Sequence, residues 1–346
     1  KSHNIRAFAL APGFTDTAMG RQAVDTVPEY TGEQGGLMKL SEVTDAFVAA
    51  VREPDNAGRL LRIVMNRRGY YSARTPLPSC FAMELSQIVG IVTGGAVGFG
   101  RGFAEAILNG GGKVLITDID VQQLEATGKE LQSAFGHKNV AWQRQNVTDP
   151  DGFHAAFDFA TKYFDRPVNV LVNNAGIGGA ESYLDDGAPH GWERIVDIDI
   201  TSVLRGSQVA IDYFKKLPSG QEGVIVNLAS LAGLNAVPMT PVYAAAKAGV
   251  VGLTRSLYQL KKSDNIRAFA LAPGFARTAM GRQVTDNMPD YAAVMGGVME
   301  VDEVVEAFVA GLREPDNAGR ILRVSQGKRV YYRFPGDKQL FPNSKL

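Results

Sequence analysis

The chain reads as an α/β fold built on a doubly wound parallel sheet, and three observations predict it. Short, almost wholly apolar runs rich in β-branched residues recur at 88–93, 114–117, 168–172, 224–228 and 266–271. Segments of helical periodicity lie between them, among them 122–135, 152–164 and 249–260. Glycine is abundant, at 38 of 346 residues, or about 11% against a typical ~7%, and much of it sits in short turns joining the two kinds of segment. Strands apolar on both faces and separated by helices indicate a parallel sheet covered on both sides.

The element order has an unusual preface. Residues 1–72 align without gaps to 262–333, with 44 of the 72 positions identical; NIRAFALAPGF at 4–14 recurs at 265–275, and REPDNAGR at 52–59 recurs at 313–320. Pieces this alike share local structure, which disfavours reading 1–72 as an unrelated amphipathic extension. Only the second piece is preceded by the rest of a domain. From Met83, MELSQIVGIVTGG reads as the natural opening of a nucleotide-binding unit. The expected organisation is a partial repeat at 1–72, a linker at 73–82 with two prolines and a serine, and a single domain at 83–346. The chain opens on Lys1, so a processed, truncated or artificial start is expected.

Composition narrows the function. Lys plus Arg equals Asp plus Glu at 36 each, so net charge points to neither a nucleic-acid nor a membrane partner. The single cysteine, Cys80, allows no disulfide within the chain and suits a reducing compartment. The four histidines lack metal-ligand spacing, and no metal site is expected. No apolar run reaches the ~18 residues of a membrane helix.

The first strand runs into Thr93-Gly-Gly-Ala-Val-Gly-Phe-Gly100, whose glycines at 94, 98 and 100 open a helix. Glycine lets the backbone approach a pyrophosphate, which then rests on the helix N-terminus. By itself such a turn is equally a tight strand-to-helix connection. The second strand adds context by ending at Asp118, 18 residues past Gly100, where a carboxylate accepts from a ribose 2′-hydroxyl. The same charge repels a 2′-phosphate, and no Lys or Arg at 95–97 offsets it, so NAD is favoured over NADP. Asn146 and Val147 follow the third strand, and Asn173, Asn174, Ala175 and Gly176 end the fourth, all at the carboxyl edge where such a sheet binds its ligand. Asn173 reads equally as a tie between strand ends.

Ser230 ends the fifth strand, and 13 residues later Tyr243-Ala-Ala-Ala-Lys247 places Tyr and Lys one helical turn apart. Transferring a hydride to or from a carbinol carbon requires an acid/base for the hydroxyl proton. A tyrosine serves when a neighbouring ammonium lowers its pKa, and a serine hydroxyl steadies the developing alkoxide. TGGAVGFG, NNAG, the Ser230 strand and YAAAK, in this order and spacing, resemble the short-chain dehydrogenase/reductase family, over essentially all of 83–333. IVNLASLAGL (225–234), PVYAAAKAGVVGLTRS (241–256) and APGF (272–275) are similar to the NAD-dependent 15-hydroxyprostaglandin dehydrogenase group and related hydroxysteroid and alcohol dehydrogenases.

That resemblance implies a Rossmann-type fold and a catalytic core of Ser230, Tyr243 and Lys247. It also implies cofactor contacts from Gly94, Gly98, Phe99, Gly100, Asp118, Asn146, Val147, Asn173, Ala175, Gly176, Tyr243, Lys247, Pro273, Gly274 and Thr278. Thr278 would hold the nicotinamide carboxamide, 275–300 would form a mobile lid, and two or four copies would assemble through the long central helices. The chain departs from the family at two positions: Asn146 stands where Asp is usual, and Asp199 where a catalytic asparagine is usual. From sequence, Asp199 joins the catalytic group or faces solvent on its helix.

The expected activity is oxidation of a secondary alcohol on a lipid-like substrate, such as a hydroxy fatty acid, prostanoid or steroid, with NAD. The alternatives are a reductase of another carbonyl compound and a non-catalytic dinucleotide-binding scaffold. A chain that had lost catalysis would have no reason to keep Ser230, Tyr243 and Lys247 together. Ser344-Lys345-Leu346 matches the receptor-read tripeptide of peroxisomal proteins, so a peroxisomal address is expected if the source is eukaryotic, and a cytoplasmic one otherwise.

Overall fold

A computed structural model of the chain describes residues 9–12, 60–63, 83–178, 191–285, 297–335 and 337. Most of the repeat, the linker at 73–82, part of the expected lid (286–296) and the terminal tripeptide lie outside the described residues. The chain divides into two units, Lys1–Pro78 and Ser79–Leu346.

In the first unit, β1 (Ala9–Pro12) pairs in parallel with β2 (Leu60–Ile63), Ala9 opposite Leu60. Adding 261 to each number gives Ala270 opposite Ile321, which is the pairing found in the second unit. The two matching stretches therefore pair their strands in one and the same register.

The second unit alternates strand and helix. It runs β3 (Val89–Thr93), α1 (Gly98–Asn109), β4 (Lys113–Asp118), α2 (Val121–Phe135), β5 (Val140–Arg144), α3 (Gly152–Phe164) and β6 (Val170–Asn173). The second half follows with α4 (Trp192–Val196), α5 (Ser202–Phe214), β7 (Gly223–Leu228), α6 (Pro241–Ser256), α7 (Leu260–Asp264) and β8 (Ile266–Pro273). It closes with β9 (Phe275–Ala276), α8 (Ala279–Thr285), β10 (Val298–Met299), α9 (Val301–Arg313), β11 (Ile321–Ser325) and β12 (Lys328–Tyr331). The main sheet is ordered β12-β11-β8-β7-β6-β3-β4-β5. All its pairs are parallel except β11–β12, a hairpin turning through Gln326 and Gly327, whose φ of 65° suits a residue without Cβ.

Period-two alternation feeds two cores. Val92, Ile116, Val172 and Val226 face one side and pack with α1 and α9, where the Phe103 and Phe308 rings lie 4.4 Å apart. Ile91, Leu115, Leu171 and Ile225 face the other, against Phe153 and Phe157 of α3 and Phe214 of α5. Strand order reverses between β3 and β6, so both neighbours send their following loops to the same carboxyl-edge crevice, where open sheets of this kind bind ligands. The sequence opens this helix at Tyr243 and continues its periodicity through 249–260; α6 begins two residues earlier, at Pro241, and ends at Ser256. Proline at the first turn lacks only an N–H that would be unbonded there anyway, and Tyr243 and Lys247 lie in the first two turns of the helix, as expected.

Candidate active site

The glycine turn forms one wall. Gly94 and Gly98 have φ of 62° and 58°, in the left-handed region open to glycine. A Cβ on Gly100 would lie 2.1 Å from the Gly94 carbonyl oxygen, and one on Gly94 would lie 2.9 Å from the Ala175 Cα. Nothing larger fits at either position. The first turn of α1 has no side-chain cap at Val97, so its backbone N–H groups are available to an anion. By contrast, Asp120 caps α2 by accepting from Gln123 N, and Glu300 and Glu303 form a capping box on α9. Phe99 is half-buried and packs against the core, its ring 6.2 Å from Phe103.

Asp118 stands at the end of β4, its carboxylate accepting from Ala96 N at 3.2 Å and Asp120 N at 3.1 Å. These bonds fix the group beside the turn and leave lone pairs for hydroxyl donors. Asn146 lies just past β5, where its Oδ1 accepts from the backbone and hydroxyl of Thr148, and Val147 is buried beside it. An uncapped helix start, a Cβ-free cradle and a carboxylate at the second strand end suit a pyrophosphate and a ribose diol, so the residues present fit a dinucleotide.

The NNAG segment splits its labour. Asn173 is buried and donates to Asn227 Oδ1 at 2.9 Å and Ser207 Oγ at 3.3 Å, tying β6 to β7 and α5. That side chain is a strand tie. Asn174, given no role by the sequence beyond its place in that motif, donates to the carbonyls of Thr93 and Gly94 at 2.8 and 2.9 Å. The Thr93 hydroxyl in turn accepts from Asn174 N and Ala175 N. Thr93 and Asn174 thus clamp the glycine turn to the end of β6. Their signal was present in the motif letters, but the direction of an amide is set only once both strands lie side by side.

The chemical groups converge at the ends of β6 and β7. Ser230 lies two residues beyond β7, at the start of a short 3₁₀ turn (Leu231–Gly233), and its Oγ accepts from Ala232 N at 3.1 Å. Tyr243 and Lys247 share a face of α6, the ammonium 5.6 Å from the centre of the phenol ring. Lys247 is 4% exposed and donates to the Leu228 carbonyl at 3.1 Å. Asp199, with no exposed surface, lies 3.4 Å from the Lys247 ammonium through Oδ1, which also accepts from Ile177 N at 3.0 Å. A Cβ on Gly176 would come 2.6 Å from that same oxygen, so the end of β6 packs directly on the pair.

Local backbone explains the aim of Asp199. Between α4 and α5 the helix widens into a π turn (Asp197–Thr201), in which Ser202 N donates to the Asp197 carbonyl five residues back. The extra residue rotates the following side chains, and Asp199 points into the site instead of solvent. Burial pushes the Tyr243 phenol above its usual value; Lys247 and the Ser230 hydrogen bond pull it down, Asp199 pushes it up, and the balance stays high. Burial pulls the Lys247 ammonium down, but Asp199 and Tyr243 more than offset this and hold it above its usual range.

Beyond β8, Gly274 N donates to the Val324 carbonyl, which fixes the Pro273-Gly274 corner against β11. The Thr278 methyl approaches to 3.6 Å of where a Gly98 Cβ would be, and its hydroxyl accepts from Gly281 N at 3.0 Å at the start of α8. Every position named from sequence within the described residues therefore lies along one edge of the sheet, with Asn173 turned into the core. Among the described residues there is no cluster of metal-ligating side chains and no helix long and apolar enough to cross a membrane.

Comparison with known proteins gives a consistent result. Residues 88–289 match the family model described as short chain dehydrogenase. The NAD(+) 15-hydroxyprostaglandin dehydrogenase of Homo sapiens is 29% identical over 263 residues, covering 72% of this chain and 95% of that protein. Cis-4-hydroxycyclohexanecarboxylate dehydrogenase of Sinomonas cyclohexanicum is 33% identical over 247 residues, covering 69% and 95% respectively. A crystal structure of a short-chain type dehydrogenase/reductase from Mycobacterium marinum superposes with a TM-score of 0.61 at 25% identity, over 70% of this chain and 96% of that one.

Proposed function

Because the chain belongs to the short chain dehydrogenase family, we propose that it interconverts a secondary alcohol and the corresponding ketone on a lipid-like substrate, with NAD as cofactor. The observation that carries this reading is the convergence of Ser230, Tyr243 and Lys247 beside the crevice walled by the glycine turn. NAD supplies the nicotinamide carbon that takes up or returns the hydride when bound. Tyr243 Oη takes the hydroxyl proton in one direction and gives it back in the other. The Ser230 hydroxyl donates to the substrate oxygen and resists charge build-up there. Lys247 stays charged under the phenol ring, anchored by the Leu228 carbonyl.

The apolar class of substrate is supported by Trp192, Met239 and Met280, each about two-fifths exposed in segments flanking these groups. Met280 lies against the segment that follows β6, its sulfur 3.1 Å from where a Gly178 Cβ would be. The relatives named for prostaglandin and cyclohexanecarboxylate alcohols agree with such a substrate. A homodimer or homotetramer belongs to the same reading. It is supported by the groove of about 280 Å³ that Leu204, Ile211, Leu253 and Leu257 line together with Ser207, Gln208 and Asp212, along α5 and the end of α6.

The reading is tested by NADH formation and consumption with hydroxy fatty acids, hydroxysteroids, cyclic hydroxy acids and their ketones. Asp118 is expected to make NAD the better cofactor by about tenfold or more, as befits hydrogen bonds to a charged acceptor. Asp118→Ala should narrow that ratio by raising KM for NAD while leaving kcat nearly constant. Faster turnover with NADP at equal concentration would overturn the cofactor assignment. A protein that binds NADH yet converts none of these compounds would favour a non-catalytic scaffold.

A further inference from the structure

A lysine ammonium one helical turn from a buried tyrosine would, alone, draw the phenol toward ionisation. Here the ammonium is not alone. The Asp199 carboxylate lies 3.4 Å from Lys247 Nζ, and both side chains are buried, at 0% and 5% exposure. In a poorly solvated site, a carboxylate at that distance opposes the field that the ammonium exerts on a third group nearby. Asp199 is itself held in place by Ile177 N and by the turn that widens the helix at 197–201, so this opposing charge is built into the backbone.

We propose that Asp199 is a positioning residue that neutralises Lys247, so that Tyr243 rests as the protonated phenol and the site is set to donate a proton to a carbonyl oxygen at neutral pH, with alcohol oxidation emerging only in alkaline solution. This rests on the reading of Tyr243 as the acid/base and adds the direction in which it is poised. In reduction, the Tyr243 O–H bond breaks and its proton forms the new O–H of the alcohol, while the carbonyl carbon gains the hydride that NADH gives up. In oxidation the phenolate takes the alcohol proton as the carbinol carbon loses its hydride to NAD.

The groups acting on the pair come from each neighbouring element. Tyr243 and Lys247 lie on α6, Asp199 on the widened turn, and the Ser230 hydroxyl and Leu228 carbonyl at the end of β7. Glu193, Arg194 and Asp197, on the turns just before Asp199, are exposed to solvent. Among the described residues Asp199 is thus the acidic group that acts on both, and its push on Tyr243 agrees with the geometry.

The test is Asp199→Asn, which keeps shape and removes charge. Oxidation needs the phenolate and has an acidic limb set by Tyr243; reduction needs the phenol and has an alkaline limb set by the same group. The variant should move both limbs to lower pH together, by about one pH unit or more, and raise oxidation near neutrality by about tenfold. A second readout needs no cofactor. Tyrosinate absorbance is titrated in ligand-free wild type and Asp199→Asn, each against its own Tyr243→Phe counterpart to isolate Tyr243. The isolated step should fall to lower pH in the variant. Coincident limbs and coincident tyrosinate steps would overturn the proposal. An inactive variant that still melts cooperatively and shows no lowered tyrosinate step would do the same. Should Asp199→Asn fail to fold, Asp199→Ser takes the same two measurements. If wild type turns over none of the alcohols or ketones, the functional reading fails instead, and the tyrosinate titration still decides the role of Asp199.

Discussion

Replacing Tyr243 by phenylalanine is expected to lower kcat by about 10²- to 10⁴-fold, the range for removing a positioned general acid/base, with NADH affinity within about twofold of wild type. The expectation follows from what the substitution spares. Phenylalanine keeps the ring under which the Lys247 ammonium lies at 5.6 Å, and α6 keeps its apolar contacts through Val242, Ala246 and Val250. Lys247 keeps its bonds to Leu228 and Asp199. The proton-carrying oxygen and its hydrogen bond to Ser230 disappear. Stopped-flow hydride transfer and fluorescence titration of NADH separate the two effects. Turnover within tenfold of wild type would remove Tyr243 from the acid/base role.

Arg267→Ala is expected to cost about 3–5 kcal/mol of folding stability, as for a buried ion pair stripped of one partner. Arg267 has no exposed surface, although it is the second residue of an otherwise apolar strand. Its guanidinium grips both oxygens of Glu222 at 3.0 Å and donates to the carbonyls of Gly311, Leu312 and Glu314 and to Asn317 Oδ1, each at 2.9 Å. Those carbonyls end α9, so the arginine caps the helix that seals one face of the sheet. Lys261 adds a third cationic contact to Glu222 at 2.6 Å. Burial raises the Glu222 carboxyl, but bonds and charge from Arg267 and Lys261 outweigh it and hold it below its usual value of 4.5. A depressed carboxylate stabilises the fold above its unfolded value and ceases to do so as pH falls through the folded one. The advantage of wild type over Arg267→Ala should therefore be full at neutral pH and shrink below about pH 4.5. Urea unfolding across that window measures it, and a gap unchanged at low pH would show that packing, and not the ion pair, carries the cost.

What sequence could and could not disclose follows from how local each feature is. The strands are apolar on both faces, so their runs stand out unaided. Tyr243 and Lys247 are one turn apart on a helix, and Gly94, Gly98, Gly100 and Asp118 belong to one strand-helix-strand unit. Features that depend on three-dimensional closure were hidden. Arg267 reads as an interruption in IRAFALAP until Glu222 and the end of α9, some 45 residues away on either side, close around it. The phase of Asp199 could not be read from a 3.6-residue period, because one turn of that helix holds an additional residue. Asn173 and Asn174 are neighbours of the same type, yet one is consumed by the core and the other holds the glycine turn, since successive side chains leave a strand on opposite sides. The first unit shows a sequence match converted into a pairing match, β1 on β2 in the register of β8 on β11.

The clamp that Asn174 and Thr93 place on the glycine turn has a consequence for the cost and timing of cofactor capture. A phosphate-binding loop that is slack in the free protein must surrender conformational freedom at the moment of encounter, and that loss is subtracted from affinity. Here the turn is held by Asn174 bonds to Thr93 and Gly94, by the Thr93 hydroxyl, and by a Gly100-to-Gly94 approach too close for any side chain. Its ordering entropy is spent when the chain folds, so the incoming dinucleotide meets a rigid, ready-made receptor and its arrival is governed by diffusion and access.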